Sequence, residues 1–380
     1  MIEIRKPEYP ELPAGIRARA IDNSNGLNVN FLEAGFEEQG KHCVLLLHGF
    51  PELAYSWRKV ILPLAAHGYH VIAPDLRGYG ATTGWSDDFD GDLEKFSFSN
   101  LLKDNMGLLS ALGHESCSVV GHDFGSPVAA YSALARPDIF KSVVLMSAPF
   151  GGVPQLQKPG CYHKTHQDDI HDALANLSPP RKHYQWYYSS REANDEMVNC
   201  RQGMLEFLRA YYHHKSADWI KNKPHPLISW SATELAKLPT YYVMNLNQTM
   251  PETVETEMPS AEHIRQCTWL SDKELRFYAD TYSSTGFQGG LQYYRVGTTG
   301  RFAIELQEFI GRTIDVPSAF IAGNKDWGIY QKPGAFEAMK NSALTDMRGC
   351  YLVENAGHWV QQEQAEAVSK ILIDFLNTSL

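Results

Sequence analysis

The chain has 380 residues, 43 % of them hydrophobic and 21 % charged, with a formal net charge of −10. This is the make-up of an ordinary folded globular protein, long enough for one large α/β domain or a core carrying an insertion. The acidic balance disfavours nucleic acid and anionic membrane as partners, and no window reaches the roughly 18 unbroken apolar residues of a membrane span.

The opening MIEIRKPEYPELPAG has no apolar stretch of the kind a secretory signal carries. Six cysteines, at 43, 117, 161, 200, 267 and 350, form no C-x-x-C pair and suggest neither a zinc site nor a disulfide framework. Both features point to a reducing, cytoplasmic setting. Short apolar runs then end at glycine- or proline-rich loops. CVLLL (43–47) leads into HGFPE, YHVIA (69–73) into PDLRGYG, CSVVG (117–121) into HDFGS, and SVVLM (142–146) into SAPFGG. Between them, 99–112 and 124–135 space their apolar residues near the helical period, with Ser99 as N-cap of the first. Continuous apolar strands separated by helices predict parallel strands buried on both faces.

That rhythm stops at about 150. As far as about 300 the sequence is polar and aromatic, with Pro179 and Pro180 adjacent and no strand pattern. VPSAFIAG (316–323) and CYLVENAGH (350–358) resume the strand-then-loop grammar, and AEAVSKILIDFL (365–376) reads as a closing amphipathic helix. The expected architecture is one sheet domain over 1–148 and 301–380, interrupted by a mainly helical insertion over 149–300.

Open α/β sheets bind ligands at the carboxyl ends of their strands. The loops leaving those ends here are HGFPE, GHDFG, GNKDW and NAGHW. A strand, a tight turn flanked by Gly121 and Gly125, and a helix make the grammar of a nucleophile elbow, and the order nucleophile, acid, histidine belongs to the same fold. Asp123, Asp326 and His358 fill those three slots. Each has a plainer alternative: Asp123 as a helix N-cap, Asp326 as a turn residue, His358 as a hydrogen-bonded loop histidine. Their joint occurrence at strand ends, in order, favours chemistry. The same fold rule makes the backbone N–H groups of Phe50 and Phe124 the expected oxyanion hole.

HGFPE, GHDFG, KDW, AGHW and the late segment STGFQGGLQYYR (284–295) resemble the soluble epoxide hydrolases of the α/β-hydrolase superfamily, from about residue 15 to the carboxyl terminus. HGFP and GHD also occur in related dehalogenases; STGFQGGLQYYR is the more telling match. The resemblance implies an α/β-hydrolase fold with an inserted helical cap. It also implies two cap tyrosines that polarise the epoxide oxygen. One is Tyr184, in HYQWYY; the other is Tyr278, eight residues before Gly286. Tyr187, Tyr188 and Tyr282 are close rivals. Against the commoner family pattern, GHDFGS replaces GHDWGG and GGLQYYR replaces GxLNWYR, which bears on substrate range.

A carboxylate nucleophile has a chemical rationale. Serine opening an epoxide would leave an ether, which activated water cannot cleave; aspartate leaves an ester, which it can. The implied cycle is attack by Asp123 to form an alkyl–enzyme ester, then hydrolysis by water activated by His358 and oriented by Asp326. The alternatives are a dehalogenase using the same aspartate and a catalytically silent ligand-binding member of the fold. Phe50 and Phe124 stand where haloalkane dehalogenases carry halide donors, and 124–130 lacks the arginines of fluoroacetate dehalogenases. Trp186, Trp327 and Trp359 are expected to wall an apolar pocket. The insertion histidines, including His163, His166, His213 and His214, are expected at the surface rather than on a metal. The expected partners are an apolar epoxide and water, with a homodimer allowed; no metal and no organic cofactor is called for.

Overall fold

The computed structural model describes residues 9–10, 12–154, 166–300 and 303–379. Its strands are β1 (Arg17–Asp22), β2 (Asn28–Ala34), β3 (Cys43–Leu47), β4 (His70–Pro74), β5 (Cys117–His122), β6 (Phe140–Met146), β7 (Arg181–His183), β8 (Val243–Asn245), β9 (Ser318–Gly323) and β10 (Met347–Val353). Eight of them form one sheet in the order β1-β2-β4-β3-β5-β6-β9-β10. β1 with β2 and β2 with β4 pair antiparallel; every later pair in the sheet is parallel.

The residues account for this arrangement. β3, β5 and β9 are buried at every position, as apolar strands covered by helices on both faces must be. β1 reads RARAID and alternates between half-buried and exposed, as an edge strand with one sheltered face does. Its polar alternation hid it from the apolar-run reading, which did not anticipate β1 or β2.

The helix after β4 runs Phe98–Ala111, and Ser97 is its N-cap, accepting the Asn100 N–H at 3.4 Å. The expectation of Ser99 is corrected: Ser99 lies inside the first turn, whereas Ser97 holds the extended backbone a cap requires. After β5 comes the helix Gly125–Ala135. A Cβ on Gly121 would sit 2.0 Å from the Gly125 carbonyl oxygen, and one on Gly125 would sit 2.3 Å from that of Leu47. Strand and helix meet closely only because both positions lack a side chain.

Between β6 and β9 the described chain is mostly helical, its longest helices being Met204–Lys215, Asp272–Thr285 and Gln288–Thr299. Ser271 and Glu274 close a capping box at the start of Asp272–Thr285. The absence of strand pattern there is also corrected, since β7 and β8 pair antiparallel over three residues each. Strands that short show no period. The chain then returns to β9 and β10 and closes with the helix Ala365–Ser379. Among the described residues, no helix is long and apolar enough to cross a membrane.

Candidate active site

β5 lies between β3 and β6, and the chain leaves its carboxyl end through Asp123. This residue has φ +50°, a backbone conformation that disfavours residues with a Cβ and persists only where the surroundings enforce it. The turn aims the carboxylate away from the strand. Oδ1 accepts the Phe50 N–H, from the loop after β3, at 2.9 Å. Oδ2 lies 3.2 Å from Nε2 of His358, in the loop after β10. The other imidazole nitrogen, Nδ1, lies 3.1 and 3.2 Å from the two oxygens of Asp326, in the loop after β9. Asp326 also accepts the Gly328 N–H at 2.7 Å. Three loops at the carboxyl ends of the strands thus bring together the three residues singled out from the sequence. Phe124 follows Asp123 in helical geometry, φ −67° and ψ −25°, at the start of the next helix.

Charge reinforces this geometry. Burial pushes Asp123 toward its protonated form, but the His358 hydrogen bond and the positive field of His358, Lys215 and His122 prevail and hold it far below the usual carboxylate range. Asp326 is likewise lowered, because His358 outweighs burial. Burial and Lys215 push His358 toward its neutral form; Asp326 and Asp123 overcome both, so the imidazole titrates above its ordinary value.

A second layer holds the loops together. His122, just before Asp123, lies 2.5 Å from Glu52 Oε2 through Nδ1 and 2.7 Å from the His358 carbonyl oxygen through Nε2. Glu52 also accepts from Gln361 and Gln362 at 2.8 and 3.1 Å. Both members stand within motifs singled out from the sequence, HGFPE and GHD, but neither was assigned a role there.

The tyrosine assignment divides. Burial and then the Asp123 charge raise the Tyr184 phenol well above its usual range. Its hydroxyl donates to Gln331 at 3.1 Å and accepts from Gln185 at 3.3 Å. Tyr278 does not stand beside it. The Tyr278 hydroxyl shares a 2.8 Å hydrogen bond with Ser56 and lies 3.5 Å from Gln362 Oε1, within the field of Arg58. The helix Asp272–Thr285 turns it toward that polar cluster. A phenol not singled out from the sequence, Tyr294, lies next to Tyr184. The Tyr294 ring centre is 5.8 Å from that of Tyr184, 5.5 Å from Phe50 and 5.6 Å from Phe124, and its phenol is raised first by burial and next by Asp123. A sequence signal for it existed. A Cβ on Gly289 would lie 2.1 Å from the Gly78 carbonyl oxygen, and one on Gly290 would lie 2.8 Å from the Phe50 ring. The glycine pair therefore marks the helix face that approaches the sheet, and Tyr294 follows Gly290 by four residues on that same face.

Among the three tryptophans, Trp359 is buried, donates to the Tyr212 carbonyl oxygen at 2.8 Å and packs 4.7 Å from His358. Trp327 is buried against His225 at 4.8 Å. Trp186 packs on His171 and His183 at 4.5 and 5.0 Å. The surface expectation for the insertion histidines is corrected at His214. It is fully buried edge-on to Trp219 and Tyr241, and desolvation pushes its pKa down to about 3. His213 is half-buried, and His163 lies outside the described residues. No group of three or more metal-ligating side chains occurs among the described residues.

Comparison with known proteins shows what the chain is similar to. Residues 43–365 match the model of the alpha/beta hydrolase fold family. Epoxide hydrolase A of Mycobacterium tuberculosis (strain ATCC 25618 / H37Rv) is 31 % identical over 367 residues, covering 95 % of this chain and 98 % of that protein. Among solved structures, the epoxide hydrolase from an endophytic Streptomyces superposes with a TM-score of 0.75 at 27 % identity, covering 96 % of each chain. Potato (Solanum tuberosum) epoxide hydrolase I gives 0.73 at 28 % identity, over 96 % of this chain and 99 % of that one. Fold, triad geometry and near full-length similarity lead to one conclusion: this chain belongs to the epoxide hydrolases of the α/β-hydrolase fold.

Proposed function

We propose that the protein converts epoxides to vicinal diols in two steps through an ester on Asp123. The observation that carries this reading is the carboxylate itself, set between the Phe50 N–H and His358 and overlooked by the phenols of Tyr184 and Tyr294. In the first step Asp123 Oδ2 attacks one ring carbon. A carbon–oxygen bond forms, the ring carbon–oxygen bond breaks, and the released oxygen takes a proton from a tyrosine. Esterification removes the Asp123 charge that raises His358, which favours the free-base imidazole. In the second step His358 takes a proton from water, the hydroxide adds to Asp123 Cγ, and the oxyanion forms at Oδ1, on the Phe50 N–H. Collapse breaks the Cγ–Oδ2 bond; the departing alkoxide takes the proton held by His358, the remaining water proton returns to the tyrosinate, and diol, phenol and carboxylate result, the carboxylate with one oxygen from solvent.

The segment 149–300 acts in this scheme as a cap on the sheet domain of 1–148 and 301–380. Phe50, Phe124, Tyr188 and Phe287 give the reaction centre apolar walls, which suits an apolar epoxide. The rings of Phe50 and Phe124 carry no N–H to hold a departing halide, so dehalogenation is the poorer reading. A single turnover in ¹⁸O water should place the label in Asp123 and leave the first diol unlabelled. Label in the diol alone overturns the ester route. With His358→Gln, intact mass should rise by the mass of the epoxide, and an unchanged mass counts against the scheme.

A further inference from the structure

Lys215 is the last residue of the helix Met204–Lys215 and is only 2 % exposed. Its ammonium lies 5.4, 5.7, 5.1 and 5.3 Å from the ring centres of Tyr211, Tyr241, Tyr242 and Trp359. No carboxylate among the described residues forms an ion pair with it. Its backbone carbonyl accepts the His358 N–H at 2.9 Å. The Glu363 carboxylate clamps the same junction, accepting the N–H groups of Ala217, Gly357 and Trp359 at 2.8, 3.0 and 3.0 Å. The cation is therefore held at a fixed place relative to the catalytic imidazole.

A buried, unpaired ammonium is costly unless a nearby anion compensates. Four aromatic faces and a hydrogen bond with the Tyr211 hydroxyl supply part of that compensation. The rest must come from negative charge in the reaction centre, and Asp123 is the carboxylate on which the Lys215 field acts. The same field acts on His358, on Tyr211 and on His214. Tyr211 in turn accepts the Tyr188 hydroxyl at 3.1 Å, which extends the influence of the cation into the cluster of phenols around Tyr294.

We propose that Lys215 is the resident counter-cation of the reaction centre: it balances the Asp123 carboxylate at rest and, after attack, the oxygen that has received the charge. That oxygen is first the opened epoxide oxygen, or the phenolate that protonated it, and later the oxyanion of ester hydrolysis. Lys215 acts through space as a positioning residue, and the assignment rests on the hydrolytic reading above.

The groups that face His358 are Asp326 and Asp123, which hold its proton, Lys215, which opposes them, and His122, whose ring is 5.1 Å away and is paired with Glu52. Lys215→Met keeps an unbranched chain inside the aromatic cage and deletes only the charge. Histidine ¹³Cε1 titration by NMR, assigned with His358→Gln, should show the His358 midpoint rising by about one pH unit in Lys215→Met. The acid limb of kcat should move up with it, and single-turnover ester formation should slow by about tenfold or more. Lys215→Arg should restore the midpoint and the rates. Lys215→Gln serves as a second neutral variant should Met disturb packing. An unmoved midpoint with rates within about twofold of the parent overturns the proposal, as does a shift that Arg fails to reverse. The NMR titration needs no substrate. A parent protein that hydrolysed no epoxide would therefore defeat the hydrolytic reading while the midpoint still decided the role of Lys215.

Discussion

Tyr184, Tyr294 and Tyr278 are chemically identical and separated by their surroundings. The first two feel the Asp123 charge, whereas Tyr278 is held by Ser56 beside Arg58. Removing either of the first two hydroxyls should slow ring opening by about 10²–10³-fold, in line with the loss of one donor to a developing oxyanion. Pre-steady-state formation of the ester reads this directly in Tyr184→Phe and Tyr294→Phe, and the double variant should nearly stop it. Tyr278→Phe should leave that rate within about threefold of the parent and cost stability instead, since it strips a partner from buried Ser56. Equal slowing in Tyr278→Phe and Tyr294→Phe would show that the tyrosines have been misassigned.

Helix Gln288–Thr299 delivers Tyr294, and its glycines make opposite forecasts. Gly289 packs against the backbone of Gly78, where an added methyl meets an unyielding carbonyl. Gly289→Ala should destabilise by about 1–3 kcal/mol and slow turnover by displacing Tyr294. Gly297, in the same helix, is exposed, and a Cβ added there would meet nothing within 4 Å. Gly297→Ala should stabilise by about 0.5–1 kcal/mol, because alanine loses less backbone entropy on entering a helix, with activity unchanged. Chemical denaturation of both variants checks the pair. The same reasoning explains how the helix could have been located from sequence: GGLQYYR carries its contact face in its small residues rather than in an apolar stripe.

Across the whole molecule, the reaction centre links pH to folding. The His358 pKa is raised in the folded state, so its contribution to stability is fully present below about pH 6.5 and fades as pH climbs through the raised value. Asp123 and Asp326 are lowered, so theirs is present above about pH 3.9 and fades as pH falls through the depressed values. Both contributions coexist between those limits. The difference in unfolding free energy between the parent and His358→Gln should therefore be largest between about pH 4 and 6.5 and shrink on either side. A difference that grew steadily toward pH 9 would contradict these charge states. Urea titrations at a series of pH values measure it.

Much of this protein is written locally. Apolar runs ending in HGFPE, HDFGS, GNKDW and NAGHW were enough to place β3, β5, β9 and β10 and to nominate Asp123, Asp326 and His358, because strand burial, tight turns and strand-end loops depend on neighbours in the chain. Edge strand β1, its neighbour β2 and the three-residue strands β7 and β8 left no such trace, being interrupted by polar residues or too short to show a period. Which tyrosines feel the Asp123 charge, which histidine is buried, and how the Lys215 carbonyl comes to hold the His358 N–H were decided by packing between segments far apart in the chain. The identity of a residue sets its chemistry, but its electrostatic partner depends on the rotation and approach of whole helices, and no local pattern encodes these.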